Sequence, residues 1–343
     1  MALAWFRAVE AGAVPAVRPH LIHLPGDPRI ATVCYETRDG RSGLDPTGFL
    51  LGALAPWAGR LGVSFLPALV CAPFRGHVGH LPGPERGALL EQVETLADRL
   101  GLSLHFPRVL DEDEELCRLL ATRGYWRTAD RPVAVLDIVW NSFEHYLASL
   151  RRSARSNVRI ELRRNREAGI RIAEIDDVAA LAPRLHQLVD AHYLRLNGVP
   201  IPFAEPFLPA LKASLGSDAT FYGAFHGETL VGVSVMLRHG DTSSGPIIGL
   251  AARDVAFSYF NLAFYRPITD AIAAGQRRLY LGTMLYEPKV RRGARVLATS
   301  HFYRGRSRST HLVAAPWLMT HGWWARRHKF ARALALNHRA PAR

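Results

Sequence analysis

The chain has 343 residues, 48% hydrophobic and 21% charged, a globular rather than disordered composition in a length that points to two domains rather than one. Lys and Arg number 43 against 30 Asp and Glu, a formal net charge of +13. No apolar run nears the ~18 residues of a membrane span, the first ten residues lack a signal-peptide pattern, and Cys34, Cys71 and Cys117 form no CxxC pair or disulfide framework; secreted, membrane-spanning and zinc-ribbon classes are thus excluded, and a cytoplasmic protein is expected.

The first half alternates strands and helices. Residues 30–35 and 64–71 have strand character. Residues 84–100 carry Leu89, Val93, Leu96 and Leu100 at helical steps, with Gly101 in the stop position. A strand over 102–109 precedes an acidic start, Asp111 to Glu115, to a helix bearing Leu116, Leu119 and Leu120. Residues 132–140 (PVAVLDIVW) form a buried-strand pattern.

A long helix is expected over 142–168, with Asn141 and Glu144 spaced as a capping box and Gly169 ending it. Its apolar stripe is Phe143, Leu147, Leu150, Ala154 and Val158. A second stripe, Arg152, Arg155, Arg159, Arg163 and Arg166, places five guanidinium groups on one face. Residues 1–140 hold 14 basic and 16 acidic residues, and residues 141–343 hold 29 and 14. High-GC codon usage, which favours Arg over Lys, would load both halves alike. The second half is therefore expected to meet a polyanion or a phosphate-rich cofactor.

The second half repeats the order. Residues 170–175 form a strand and 178–196 a helix with Leu181, Leu185, Leu188 and His192 inward. A hairpin over 221–225 and 230–238 turns at His226-Gly227-Glu228. A strand over 246–251, a helix over 257–274 and strands over 278–282 and 299–303 follow, before a tail rich in Trp and Arg. Core packing is the first expectation for its Trp317, Trp323 and Trp324; closing a cleft, touching RNA and lying on an anionic membrane are the others. The expected domains are 1–140 and 170–310, joined by a basic helix over 141–169 and followed by a basic aromatic segment over 311–343.

No GxGxxG, GxxxxGK[ST], GxSxG or HExxH motif is present. His20/His23 and His77/His80 have ligand-like spacing but no third ligand, so no metal site is expected. His186 and His192 fit satisfied helix histidines. The informative run is RLYLGTMLYEPKVRRGA over 278–294, where a strand ends at Gly282, a turn presents Thr283 and Tyr286, and Lys289, one of three lysines, lies among arginines.

With the 221–238 hairpin, the 246–251 strand, Ser258-Tyr-Phe-Asn261, Pro267 and the Tyr286-x-x-Lys289-x-x-x-Gly293 run, this order resembles the second GNAT-like domain of the Fem-type aminoacyltransferases and their BioF2-like acyltransferase relatives. LRRSARSNVR over 150–159 resembles the segment joining that family's two halves. The resemblance covers roughly residues 130–305. It implies an α/β (α+β) fold of two tandem GNAT-like domains, mixed sheets flanked by helices, with aminoacyl-tRNA or acyl-CoA as donor and an amine acceptor. Two departures matter. The loop AARDVAF over 251–257 lacks the glycines that let backbone amides approach a pyrophosphate, which argues against CoA. No coiled-coil arm is evident, which argues against a cell-wall acceptor and for one from specialised metabolism.

An aminoacyl ester is already activated, so amide formation needs positioning, loss of the ammonium proton and charge stabilisation. Lys289 is the candidate cation; a surface lysine beside a turn is the competing reading. Asp254 is the candidate base, with Glu287 a weaker one. Tyr259, Asn261, Thr283, Tyr286 and Tyr303 are candidates to orient the terminal adenosine or the acceptor, against plain core packing of the tyrosines. Arg152, Arg155, Arg159, Arg163 and Arg166, with Arg291, Arg292 and Arg295, are candidates to grip tRNA phosphates, and Arg304, Arg306 and Arg308 extend that set. The expected activity is aminoacyl transfer from aminoacyl-tRNA to an amine of a small molecule or peptide, with no resident cofactor. The alternatives are an acyl-CoA-dependent N-acyltransferase and a non-catalytic RNA-binding module.

Overall fold

A computed structural model describes residues 2–12, 17–39, 44–72, 79–251 and 257–339. Contacts divide the chain into two compact units. One is built from Met1–Glu10, Val14–Pro132 and Leu297–Ala335, the other from Ala11–Ala13, Val133–Val296 and Leu336–Arg343.

The first unit opens with α1 (Ala2–Ala11) and an antiparallel pair, β1 (Arg18–Leu24) and β2 (Asp27–Thr37). Two short helices, α2 (Pro46–Leu51) and α3 (Ala55–Arg60), precede β3 (Ala68–Cys71), which is shorter than expected. Pro67 before it has no N–H to donate to a ladder. Then come α4 (Arg86–Leu100), β4 (Ser103–Leu110), α5 (Glu114–Thr122) and β5 (Trp126–Asp137), the last running into the second unit. Gly101 closes α4 at φ +66, the left-handed conformation that suits glycine. Asp113 caps α5 by accepting from the Leu116 N–H at 3.2 Å.

The second unit departs most from expectation at the long helix, which is two helices, α6 (Phe143–Ser149) and α7 (Arg152–Glu167). Leu150 is extended (ψ 150) and buried, so the chain bends to keep Leu147, Leu150 and Val158 in one core. The cap is Ser142, one residue past the expected Asn141; its hydroxyl accepts from the His145 N–H at 3.0 Å. Then follow β6 (Ile170–Glu174), α8 (Ala182–Asn197), α9 (Phe207–Leu215), β7 (Ala219–His226), β8 (Thr229–His239) and β9 (Thr242–Leu250). Next are α10 (Ser258–Phe260), a π turn over Asn261–Tyr265, α11 (Arg266–Ala273), β10 (Arg278–Tyr280) and α12 (Tyr286–Arg291). The strand order is β5-β10-β9-β8-β7-β6; β10 and β9 are parallel and the other pairs antiparallel. Helices α6, α7 and α11 bury Leu147, Val158 and Ile268 with Tyr222 and Leu250. On β9, Gly249 meets the α8 backbone so closely that a Cβ there would lie 2.7 Å from the Leu188 carbonyl carbon.

The chain returns to the first unit within β11 (Arg295–Arg304) and ends in α13 (Arg308–Trp324), a π segment over Ala325–Phe330 and α14 (Ala331–Ala335). That unit's strand order is β1-β2-β3-β4-β11. Alternate residues of β11 serve opposite faces. Phe302 packs with Leu89, Val93 and Leu116 of α4 and α5, and Tyr303 with Leu50, Ala58 and Leu318 of α2, α3 and α13. Cys34 and Cys71 are cross-strand partners with sulfurs 3.2 Å apart as free thiols, a pairing their 37-residue separation does not announce. Burial pushes the Cys71 thiol pKa well up.

Candidate functional site

Helix α7 is the organising element of the second unit. Its face carrying Ala154, Asn157 and Glu161 walls a pocket of about 620 Å³, closed by Phe260, by Glu287, Pro288, Val290, Arg291 and Arg292, and by Leu336. About half a turn around the helix, Arg152, Arg155, Ser156, Arg159, Ile160 and Arg163 line a groove of about 320 Å³. Adjacent residues belong to the two cavities, Arg151 to the pocket and Arg152 to the groove.

One edge of the pocket is fixed by a charged cluster that the sequence did not reveal. The Arg292 guanidinium donates to both oxygens of Glu161, at 2.6 and 2.8 Å, and to the Tyr265 hydroxyl at 2.8 Å. Tyr265 donates to Glu161 in turn. The guanidinium carbon lies 3.7 Å from the Phe260 ring centre. Burial raises the Tyr265 pKa well above that of a free phenol. Burial works against the Arg292 charge, but Tyr265 and Glu161 outweigh it and raise its pKa. Glu161 sits in an arginine-rich helix, where it reads as an ordinary surface partner; only the fold turns it inward.

Lys289 is 3% exposed on α12, so the surface-lysine reading does not hold. It does not line the pocket that its neighbours line. Its Nζ donates to the Leu281 carbonyl at 2.6 Å, just past β10. Burial lowers its pKa to about 8. β10 and β9 pair only over 278–280 and 242–244, although β9 runs on to Leu250, so the parallel strands part where Lys289 points. In open α/β sheets ligands bind at such carboxyl ends of strands. The turn entering α12 is strained: Met284 (φ 91) and Leu285 (φ 50) are left-handed without being glycine. Residues held this way cost about 1–3 kcal/mol each and cluster at functional sites.

The other candidates fall in three places. Thr283 precedes the strained turn and Tyr286 opens α12. Tyr259 packs edge-on against Phe260, and burial raises its pKa to about 12. Asn261 donates one side-chain N–H to the Phe257 carbonyl at 3.0 Å, at the start of the helix. Tyr303 lies apart from these, fully buried in the first unit, with its hydroxyl on Ser103 Oγ at 3.1 Å and its ring against Phe65. It is a core residue. Asp254 lies outside the described residues.

The arginines also sort unequally. Arg152, Arg155, Arg159 and Arg163 share the groove, and Arg166 follows on the same helix. Arg159 and Arg163 reach Glu144 and Glu167 at 3.3 and 3.6 Å, exposed pairs worth little. Arg291 is exposed and pairs with Glu287 one turn back. Arg292 is not a surface phosphate contact, because Glu161 already neutralises it. Arg295 shares the Asp137 carboxylate with Arg278. Burial alone would raise the Asp137 pKa; the bonds from Arg295 and Arg278 win and bring it down to about 2. Arg304 pairs with Asp98. Of the histidine pairs, His20 bonds Glu36, His23 the Leu24 carbonyl and His80 the Pro107 carbonyl; His77 lies outside the described residues.

Residues 53–323 match the FemAB-like family profile, described as peptidoglycan biosynthesis and recognition. The chain belongs to the FemAB-like family. Membership places it among acyl- and aminoacyl-transferring enzymes in general. A search of curated proteins finds no sequence match. Among solved structures, the C-terminal domain of a putative lysylphosphatidylglycerol synthetase from Agrobacterium fabrum is similar at 12% identity and TM-score 0.59, over 94% of this chain and 92% of that one. FemX is similar at 11% identity and TM-score 0.58, over 88% and 90%. L-PGS from Bacillus licheniformis is similar at 12% and 0.56, over 92% and 95%. At these identities the likeness is one of fold. No helix among the described residues is long and apolar enough to cross a membrane.

Proposed function

We propose that this FemAB-like protein transfers an aminoacyl group from aminoacyl-tRNA to an amine on a small molecule or peptide. The observation that carries the reading is the double use of α7, which walls a substrate-sized pocket on one face and an arginine groove on the other. A helix is ~10–12 Å across, so phosphates held in the groove lie within about one helix diameter of the pocket. Contacts to phosphate fix position without reading bases, which suits a donor consumed for its amino acid. The family profile describes peptidoglycan work, whereas no coiled-coil arm is evident among the described residues, which favours a small acceptor such as those of specialised metabolism.

In the reaction the acceptor nitrogen attacks the ester carbonyl carbon. A C–N bond forms, the C–O bond to the ribose breaks, and the proton lost by the amine ends on the ribose oxygen. Positioning supplies ~7–11 kcal/mol of the barrier. Lys289, buried outside the pocket at the carboxyl end of β10, supplies a cation for the developing oxyanion if the ester carbonyl reaches the place where β9 and β10 part. Its bond to Leu281 uses one of the three N–H donors of an ammonium, and burial strengthens its field. Thr283 and Tyr286, flanking the strained turn, orient the terminal adenosine or the acceptor, and Asp254 is the candidate base.

The deciding assay incubates the protein and a panel of amines with charged tRNA or with acyl-CoA, with and without RNase. Product from charged tRNA that RNase abolishes is expected. Product from acyl-CoA alone would replace the donor, and tight tRNA binding without product from either donor would leave a binding module. The groove has its own test. Arg159→Glu with Arg163→Glu should lower tRNA affinity and flatten the log–log salt slope by roughly 1.5 units, as losing two phosphate contacts requires. An unchanged slope would remove the groove from the donor site.

A further inference from the structure

Helix α13 of the first unit leaves large apolar side chains in water. It buries Ala314, Leu318 and His321 on one side. On the other, Leu312 and Met319 are 63% and 64% exposed, and Trp323 is 61% exposed. With Pro316, these positions recur at steps of 4, 3 and 4, the spacing of one helix face. Val313 and Trp324 flank it, at 49% and 45%. Core packing, the first expectation for these tryptophans, applies only to Trp317, which joins the cluster around Leu50 and Tyr303. Large apolar side chains exposed along one helix face mark an interaction surface.

The charge around the strip identifies its partner. No Asp or Glu occurs after Glu287 in the whole sequence. Arg306 and Arg308 stand at the start of α13, and Arg326, Arg327, Lys329 and Arg332 follow its end. Part of this charge is engaged: Arg326 reaches Asp111 at 3.6 Å, and Arg327 lies over the Trp323 ring. Arg327, Lys329 and Arg332 are nevertheless exposed. Leu312, Val313 and Met319 offer a nucleic acid neither a stacking ring nor a donor. They do match the acyl boundary of a bilayer, where Trp sits at headgroup level and Lys and Arg meet anionic lipid. We infer that α13 and the basic segment after it dock the protein in the plane of an anionic phospholipid surface.

The test is co-sedimentation of the full chain with phosphatidylcholine vesicles, with and without phosphatidylglycerol, alongside tryptophan fluorescence. Binding to the phosphatidylglycerol vesicles with a blue-shifted emission is expected, together with weakening by salt. Leu312→Glu with Met319→Glu removes only exposed contacts, so an unchanged melting temperature should accompany a loss of vesicle affinity of roughly tenfold or more. Arg327→Glu with Arg332→Glu should abolish the preference for phosphatidylglycerol. Equal binding to both vesicle types, or to neither, would overturn the inference. So would a double-Glu variant that binds vesicles normally but loses a self-associated form in light scattering, which would assign the strip to a second copy of the chain.

Discussion

Lys289→Met should reduce kcat by roughly 10²–10³-fold, the range seen when one preorganised oxyanion donor is removed, with KM nearly unchanged. The same substitution should not cost stability. A buried lysine whose pKa falls from 10.5 to about 8 is held charged at neutral pH against its surroundings. That depression corresponds to about 3 kcal/mol of folded-state penalty at pH 7. Methionine fills similar space without the charge, and losing the bond to the Leu281 carbonyl, at about 1–3 kcal/mol, offsets only part of that gain, so the variant should melt near or above the wild-type temperature. Few structural lysines would give activity loss and stability gain together. Steady-state kinetics on charged tRNA, with calorimetry of both proteins, checks the pair of outcomes; a variant that loses stability in step with activity would reduce Lys289 to a packing residue.

The pH dependence follows with a definite sign. Between pH 8 and 10.5 the unfolded chain binds the Lys289 proton and the folded chain does not. Stability from this group therefore rises with pH through that window. Catalysis should move oppositely. If the cation is the working form, kcat declines as pH climbs through about 8. A rate that instead rises through 8 would make the neutral amine a base, and would relieve Asp254 of that role.

How much of this was legible in the sequence depends on the range over which each feature is determined. The Arg stripe of α7 was readable because helical spacing alone puts residues three and four apart on one face. The order of the strands in the second half was readable for the same local reason, but helix α9 (Phe207–Leu215) was not expected. The break at Leu150 was not, since neither glycine nor proline marks it and only the shared burial of Leu147, Leu150 and Val158 requires it. Short α12 reads as a turn, and so the burial of Lys289 was hidden. Tyr303 shows the opposite failure: its hydroxyl suggested a site, whereas strand alternation faces it inward beneath α13. The Glu161–Arg292 pair spans 131 residues, beyond the reach of any local pattern.

That pair should dominate the stability of the second unit. Glu161 and Arg292 side chains are only 13% and 9% exposed, so Arg292→Ala leaves a nearly buried carboxylate without its partner. Removing one member of a buried pair costs about 3–5 kcal/mol, because the remaining charge is uncompensated. For a unit of this size the melting temperature should fall by roughly 6–20 °C. Glu161→Gln should cost less, since the amide still accepts from Arg292 and Tyr265 through its oxygen. The double variant Glu161→Gln, Arg292→Met should recover part of the loss, because no full charge is then left buried; a double-mutant cycle in thermal melts measures the coupling. The same proteins separate structural arginine from phosphate-binding arginine. In folded Arg292→Met, Glu161→Gln protein the tRNA salt slope should match wild type, whereas the Arg159→Glu, Arg163→Glu variant flattens it. A flattened slope in the former would return Arg292 to the nucleic-acid surface despite its burial.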